Sequence, residues 1–222
     1  MPLPALARHR PWLLLSLIAG VSYFFASDEP IGGAWLMLWK GAGVAFLAIY
    51  AAFRGKGLDG LLIAAVLVFG ALGDVALEVS FLVGGGLFAV GHVIAIALYL
   101  RNRREFVTGS HITTAAALLI LTPMIAGLII YPLENWFLAT AYSGLVGAMA
   151  AAAWSSRFPR YRVGAGAVMF VVSDLLIFAG EAQALPAVVT EWLIWPLYYG
   201  GQFLIAVGVV QTLRSDRSWK AA

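Results

Sequence analysis

The cationic side chains of this chain alternate with its hydrophobic segments, and that alternation dictates what it can fold into. Of the 14 Lys and Arg residues, all but Lys40 fall into separate clusters: Arg8 and Arg10; Arg54 and Lys56; Arg101, Arg103 and Arg104; Arg157, Arg160 and Arg162; and Arg214, Arg217 and Lys220. Between one cluster and the next lie two hydrophobic segments, joined by a connection without any Lys or Arg. These connections carry Asp28, Glu29, Glu134, Glu181 and Glu191 instead. Because Lys and Arg are retained on the cytoplasmic side of membranes, the pattern predicts eight spans with both termini cytoplasmic and the acidic connections outside.

Composition agrees, since 62% hydrophobic and 11% charged residues cannot make a soluble surface. Within hydrocarbon every backbone N–H and C=O must be satisfied internally, so spans of this kind are helices. The expected fold is therefore all-α: a polytopic helical bundle of eight transmembrane helices, read as one transmembrane domain over residues 1–222. Spans of roughly 20 residues are expected near 11–27, 34–53, 59–82, 86–100, 112–131, 136–155, 163–180 and 191–213. Gly84-Gly85-Gly86 is read as the tight turn between the third and fourth spans. Pro123 and Pro196 fall inside spans, where they remove a helical hydrogen bond. Arg8 to Arg10 followed by Trp12 to Ala26 resembles a signal peptide, but cleavage after Ala26 would put Phe24 where a small residue is preferred, so an uncleaved first span is expected.

Several function classes fall away. The basic residues flank membrane segments and form no stripe, so no nucleic-acid partner is expected, only membrane lipids. With no Cys there is neither disulfide nor thiolate chemistry. His9 and His111 belong to the cytoplasmic side and His92 to the outer half, so no imidazole cluster, no metal and no cofactor is expected. There is no GxSxG, HExxH or phosphate loop.

What composition does not explain is the charge inside the spans. Lys40, Asp74, Glu78 and Asp174 are ionisable, and His92 titrates near neutrality. Four unpaired charges at the bilayer centre would cost roughly 10 to 14 kcal/mol on insertion scales, so they are paired, protonated or hydrated. Counted along the expected spans, these residues share the outer half with Tyr142, Tyr198, Tyr199 and Gln202. Asp74 and Glu78, Phe88 and His92, Phe170 and Asp174, and Tyr198 and Gln202 are each four apart and share a helical face. One Lys among three carboxylates leaves net negative charge if all ionise, so at least one acid is expected to hold its proton beside a carboxylate, the arrangement that acid–base chemistry uses. Each residue also has a plainer reading. Glu78 can reach headgroup water, Lys40 can snorkel outward, His92 can be a packed core histidine, and the two tyrosines can be interface residues. Asp74 and Asp174 are the hardest to explain without function.

The motifs Gly73-Asp74, Gly85-x-x-Phe88-x-x-x-His92, Ser173-Asp174 and Tyr198-Tyr199-Gly200-Gly201-Gln202-x-Leu204-Ile205, together with Lys40, resemble the lysoplasmalogenase family of eight-span membrane proteins along nearly the whole chain. A departure is Ala95, where the family leads one to expect an aromatic. The resemblance implies hydrolysis of the vinyl ether bond of a lysophospholipid, releasing a fatty aldehyde and a glycerophospho-ethanolamine or -choline. Set beside that chemistry, the polar residues of the spans are read with Asp74 and Asp174 as catalytic residues, and Lys40, Glu78, His92, Tyr142, Ser173, Tyr198, Tyr199 and Gln202 as binding or orienting residues, with no cofactor. Either Asp can be the acid, and Asp174 is the preferred assignment. The expected location is a bacterial cytoplasmic membrane. Two other classes use intramembrane carboxylates. A proton-coupled transporter would relay protons through the same Asp, Lys and His. An aspartyl protease would need a GxGD element, which Ala71-Leu72-Gly73-Asp74 lacks.

A topology reporter fused after Gly180 is expected to report the outside of the membrane; a cytoplasmic signal would invert every span assignment above.

Overall fold

A computed structural model of the chain describes residues 10–27, 33–106 and 108–220. The predicted positions Arg8, His9, Asp28 and Glu29 lie outside the described residues. The helices are α1 (Arg10–Ala26), α2 (Ala34–Arg54), α3 (Gly57–Leu77), α4 (Phe81–Arg101), α5 (Gly109–Ile130), α6 (Trp136–Ser155), α7 (Ala165–Glu181) and α8 (Ala187–Lys220), with a π-helical turn, Arg160–Gly164, leading into α7. Seven helices are long and apolar enough to cross a membrane, and α1 supplies a shorter apolar one. A helix of 21 residues, as in α2, α3 and α4, spans about 32 Å, close to the hydrocarbon thickness of about 30 Å. The all-α membrane bundle read from the sequence is what the chain forms.

The described residues divide into two compact units, one within Met1–Ile94 and Val209–Ala222, the other within Ala95–Gly208. In the first, α2 packs between α1 and α3. Without a hydrophobic drive between helices in lipid, small residues and interhelical hydrogen bonds must hold them. Ser16 Oγ donates to the Gly43 carbonyl at 2.7 Å, and Trp39 Nε1 donates to Ser22 Oγ at 3.0 Å, tying α1 to α2. Gly41 lets α2 close on α3, since a Cβ there would stand 2.9 Å from the Ala71 carbonyl oxygen. In the second unit α5, α6 and α7 pack on one another. Gly147 of α6 leaves no room for a side chain against the Leu118 carbonyl of α5, which a Cβ would approach to 2.7 Å. Pro123 and Pro196 lie inside α5 and α8, both of which continue through them. Outward-facing Leu, Ile, Val and Phe, such as Leu61, Leu82, Ile120 and Leu128, are exposed in numbers that only a lipid environment accommodates.

One predicted turn is misplaced. Gly84, Gly85 and Gly86 lie within α4, and the chain reverses at Glu78, Val79 and Ser80 instead. Ser80 drives this, because its hydroxyl accepts from the Val83 N–H at 3.4 Å at the start of α4, the bond that favours Ser at helix starts. Gly84 serves packing rather than turning: a Cβ there would lie 2.6 Å from Leu77 Cγ and 2.7 Å from the Leu77 backbone nitrogen. The third span therefore ends at Leu77, earlier than expected, and the fourth begins at Phe81. Because α4 starts earlier, His92 lies eleven residues along it and not six, close to its midpoint. His92 therefore lies deeper along its helix than the outer-half position expected, while Lys40 stays six residues from the start of α2 and Asp174 seven from the end of α7.

Gly84→Ala is expected to destabilise the protein by about 1–3 kcal/mol through overpacking against Leu77. Gly85 and Gly86 have nothing within 4 Å of an added Cβ, so Ala at either position should be neutral or stabilising by up to about 1 kcal/mol. Thermal unfolding in detergent tests both. A turn built on all three glycines would instead show destabilisation at each.

Candidate functional site

The first unit holds Lys40, Asp74, Glu78 and His92. Lys40 lies six residues into α2, beside Gly41, where α2 closes on Ala71 and Val75 of α3. That approach brings its ammonium onto Glu78 Oε1 as an ion pair. Glu78 caps the C-terminus of α3 in αR geometry (φ −69, ψ −19), continuing the helical turn of Asp74. The pair is only partly shielded, with side-chain exposures of 19% and 38%. Lys40 is thus held by a carboxylate, neither snorkelling alone nor facing hydrocarbon unpaired. Asp74, one turn earlier on α3, is buried, with 2% exposure.

The Gly73-Asp74 and Phe88-His92 motifs meet here. The Phe88 ring lies so close to Gly73 that a Cβ would stand 2.7 Å from Phe88 Cε2. Gly next to the buried Asp is therefore what lets α4 lie against α3. Phe88 and His92, on one face of α4, are both buried.

The second unit holds Tyr142, Ser173, Asp174, Tyr198, Tyr199 and Gln202. Asp174, on α7, is buried, and its Oδ2 accepts a hydrogen bond from the Tyr142 hydroxyl of α6 at 3.1 Å. The Tyr142 ring is fixed edge-on against Phe178, one turn beyond Asp174, at 6.5 Å between centroids. Phe178 belongs to an apolar cluster with Ala126, Ile130 and Ala139. Preceding Asp174 by one turn, Phe170 meets Tyr198 edge-on at 5.3 Å. Ser173 is fully buried and its hydroxyl has no partner. On α8, Trp195 stacks on Tyr199 at 5.9 Å and 8° and tilts against Tyr198 at 5.6 Å. The Gly200-Gly201 pair permits this approach of α7 and α8, because a Cβ on Gly201 would lie 2.6 Å from the Gly166 carbonyl oxygen. Tyr198, Tyr199 and Gln202 are buried, so the tyrosines are core residues here, not members of an interface belt.

The motifs whose packing this describes run through a match to the model of the YhhN family over residues 35–209. The chain belongs to the YhhN family. No curated protein and no solved structure matches it significantly. For this YhhN protein, as for the family pattern read from its sequence, glycines neighbour the functional candidates because helices must touch where those side chains are buried. Among the described residues no group of three or more His, Asp and Glu could hold a metal ion.

Trp195 and Phe178 were not among the sequence candidates, and Phe170 only shared a face with Asp174, yet Phe178 packs on Tyr142, Phe170 on Tyr198 and Trp195 on both α8 tyrosines. Trp195 had a signal, its spacing of three and four residues from Tyr198 and Tyr199. The bond between Tyr142 and Asp174 had none, since it joins different helices.

Tyr142→Phe removes the hydroxyl from a buried carboxyl group and is expected to cost about 1–3 kcal/mol in stability, read by thermal unfolding in detergent; an unchanged midpoint would show that the bond contributes nothing.

Proposed function

We propose that this YhhN protein is a membrane-embedded hydrolase that cleaves the vinyl ether bond of lysoplasmalogens, yielding a fatty aldehyde and a glycerophospho-ethanolamine or -choline. The observation that carries the reading is the burial of two carboxyl groups, Asp74 and Asp174, in apolar helices of a chain whose family is associated with this activity. A buried carboxyl that holds its proton in an apolar site can act as an acid, while an ionised one can stabilise a cation and activate water.

The reaction needs only those two roles. Asp174 transfers its proton to the vinyl carbon farther from the ether oxygen, and the adjacent carbon becomes an oxocarbenium ion. Asp74 as carboxylate takes a proton from water while the water oxygen adds to that carbon. The resulting hemiacetal breaks its carbon–oxygen bond to the glycerol oxygen, which takes the proton held by Asp74 while the hemiacetal hydroxyl returns a proton to Asp174, giving aldehyde and alcohol and restoring both groups, with one water consumed. In this reading Tyr142, bonded to Asp174 Oδ2, leaves Oδ1 to carry the transferable proton. The aromatic set of Phe170, Trp195, Tyr198 and Tyr199 keeps bulk water from the oxocarbenium ion. Ser173, His92 and Gln202 orient water or substrate, and the Lys40–Glu78 pair stands at the headgroup level. The single-chain substrate enters from the lipid with its headgroup on the side of the acidic connections. We assign the protein to a bacterial cytoplasmic membrane on the strength of its charge pattern.

Purified protein in detergent, given an alkenyl lysophosphoethanolamine, is expected to release aldehyde. Asp74→Asn and Asp174→Asn, each still helical by circular dichroism, should lower kcat by about 10²- to 10⁴-fold. If the folded wild type releases no aldehyde while carrying protons in liposomes, the same carboxylates belong to a transporter and the hydrolase reading falls.

A further inference from the structure

The Lys40–Glu78 ion pair is a costly contact for the fold alone to keep. A lysine six residues inside α2 carries charge into a span. A pair exposed to 19% and 38% returns little stability, because water screens it. Nor is the pair needed to bring α2 onto α3, which already meet where an added Cβ on Gly41 would stand 2.7 Å from Val75 Cγ2 and 2.9 Å from the Ala71 carbonyl oxygen. Both side chains stay reachable at the end of α3, where the chain turns through Val79 and Ser80 into α4.

The spacing from Asp74 fits a lipid. Asp74 is buried one turn before Glu78 on the same face of α3, and four helical residues advance about 6 Å. In a lysophospholipid the glycerol separates the ether carbon from the phosphorus by roughly 7 Å when extended. With the ether at Asp74, the phosphate therefore reaches the level of Lys40 and Glu78. A cation and an anion in contact there also match what comes next, since a phosphoethanolamine carries its own anion and cation a few bonds apart.

Resting on the hydrolase reading above, we infer that Lys40 and Glu78 are a two-point receptor for a zwitterionic headgroup: Lys40 binds the phosphate, Glu78 binds the ammonium, and their mutual pair is what the headgroup replaces. The exchange leaves every charge matched, because two protein–ligand pairs take the place of one pair within the protein and one within the ligand. A headgroup that ends in phosphate sets that anion beside the Glu78 carboxylate, where like charges repel. An uncharged glycerol ether offers neither ion a partner and leaves the pair closed. A primary ammonium also gives the carboxylate N–H donors that a quaternary one lacks. The receptor thus favours ethanolamine over choline, and both over a bare phosphate.

The test measures aldehyde release by the full chain in neutral detergent from alkenyl lysophosphoethanolamine, alkenyl lysophosphocholine and alkenyl glycerophosphate, with alkenyl glycerol of the same chain length as the reference. Wild type should rank the three phosphates in that order by kcat/KM. Glu78→Gln should lower kcat/KM for the ethanolamine substrate about tenfold or more and raise it for alkenyl glycerophosphate, while Lys40→Gln should lower it about tenfold or more on all three phosphates relative to alkenyl glycerol. Either variant carries the test if the other loses the fold. A pair that only ties α2 to α3 would lower all four substrates together, and that result overturns the receptor while leaving the hydrolase intact. Binding of the saturated ether lysophosphoethanolamine, read as a shift of the unfolding midpoint against alkyl glycerol, keeps the two readings apart. No aldehyde from any substrate, with a saturable shift that weakens in both variants, upholds the receptor and removes the hydrolase. No saturable shift in wild type overturns the receptor.

Discussion

Helices that touch backbone to backbone are the condition on which the rest of this protein depends. In hydrocarbon, apolar side chains gain nothing by choosing a neighbouring helix over lipid tails, so close packing and hydrogen bonds hold the bundle together. Gly41 against Ala71, Gly73 against Phe88, Gly147 against Leu118 and Gly201 against Gly166 are contacts that an added methyl group would disrupt. Each brings two helices near enough to bury polar side chains alongside. The Lys40–Glu78 pair stands beside Gly41, Asp74 follows Gly73, and the α8 tyrosines precede Gly200 and Gly201. The glycines thus set where helices touch, and polar side chains are buried beside three of those contacts.

The same low-dielectric setting decides how charge is handled. Lys40 and Glu78 neutralise each other where exposure still allows water near the carboxylate. Asp174 is treated differently. It has no cation in its hydrogen bond but a neutral phenol, and aromatic rings surround its helix on both sides by one turn. Two carboxyl groups in one chain, one paired with a lysine and one with a tyrosine, are placed in contrasting surroundings.

Much of this was legible in the sequence. The helical bundle followed from hydropathy and the charge alternation, and Asp74, Asp174, His92, Tyr198, Tyr199 and Gln202 all proved to be buried. Reading failed where local and tertiary roles of one residue type diverge. Gly84-Gly85-Gly86 carries the composition of a turn, yet glycine is tolerated inside a membrane helix because neighbouring helices require it. The serine that begins α4, Ser80, was the better local signal. Trp195 was not singled out, since its stacking on Tyr199 is a contact that appears only once α8 is folded. Hydrogen bonds among Asn102, Arg104, Ser156 and Arg157 join loops more than fifty residues apart and were visible in the sequence only as cationic charge.

The sequence by itself determined that the chain is a helical membrane protein, where its helices run to within a few residues in most cases, and which side chains carry charge into the bilayer. These follow from hydrocarbon thickness and backbone hydrogen bonding, which act on each segment independently of its neighbours. Tertiary structure alone decided the partners: that Lys40 meets Glu78, that Tyr142 donates to Asp174, that Phe88 fills the space left by Gly73, and that Arg104, His111 and Trp154 keep N–H groups to spare. The reason is that partnership depends on how far each helix slides and rotates against the next, and that is set by the few small residues at their crossings, not by the periodicity of either helix alone.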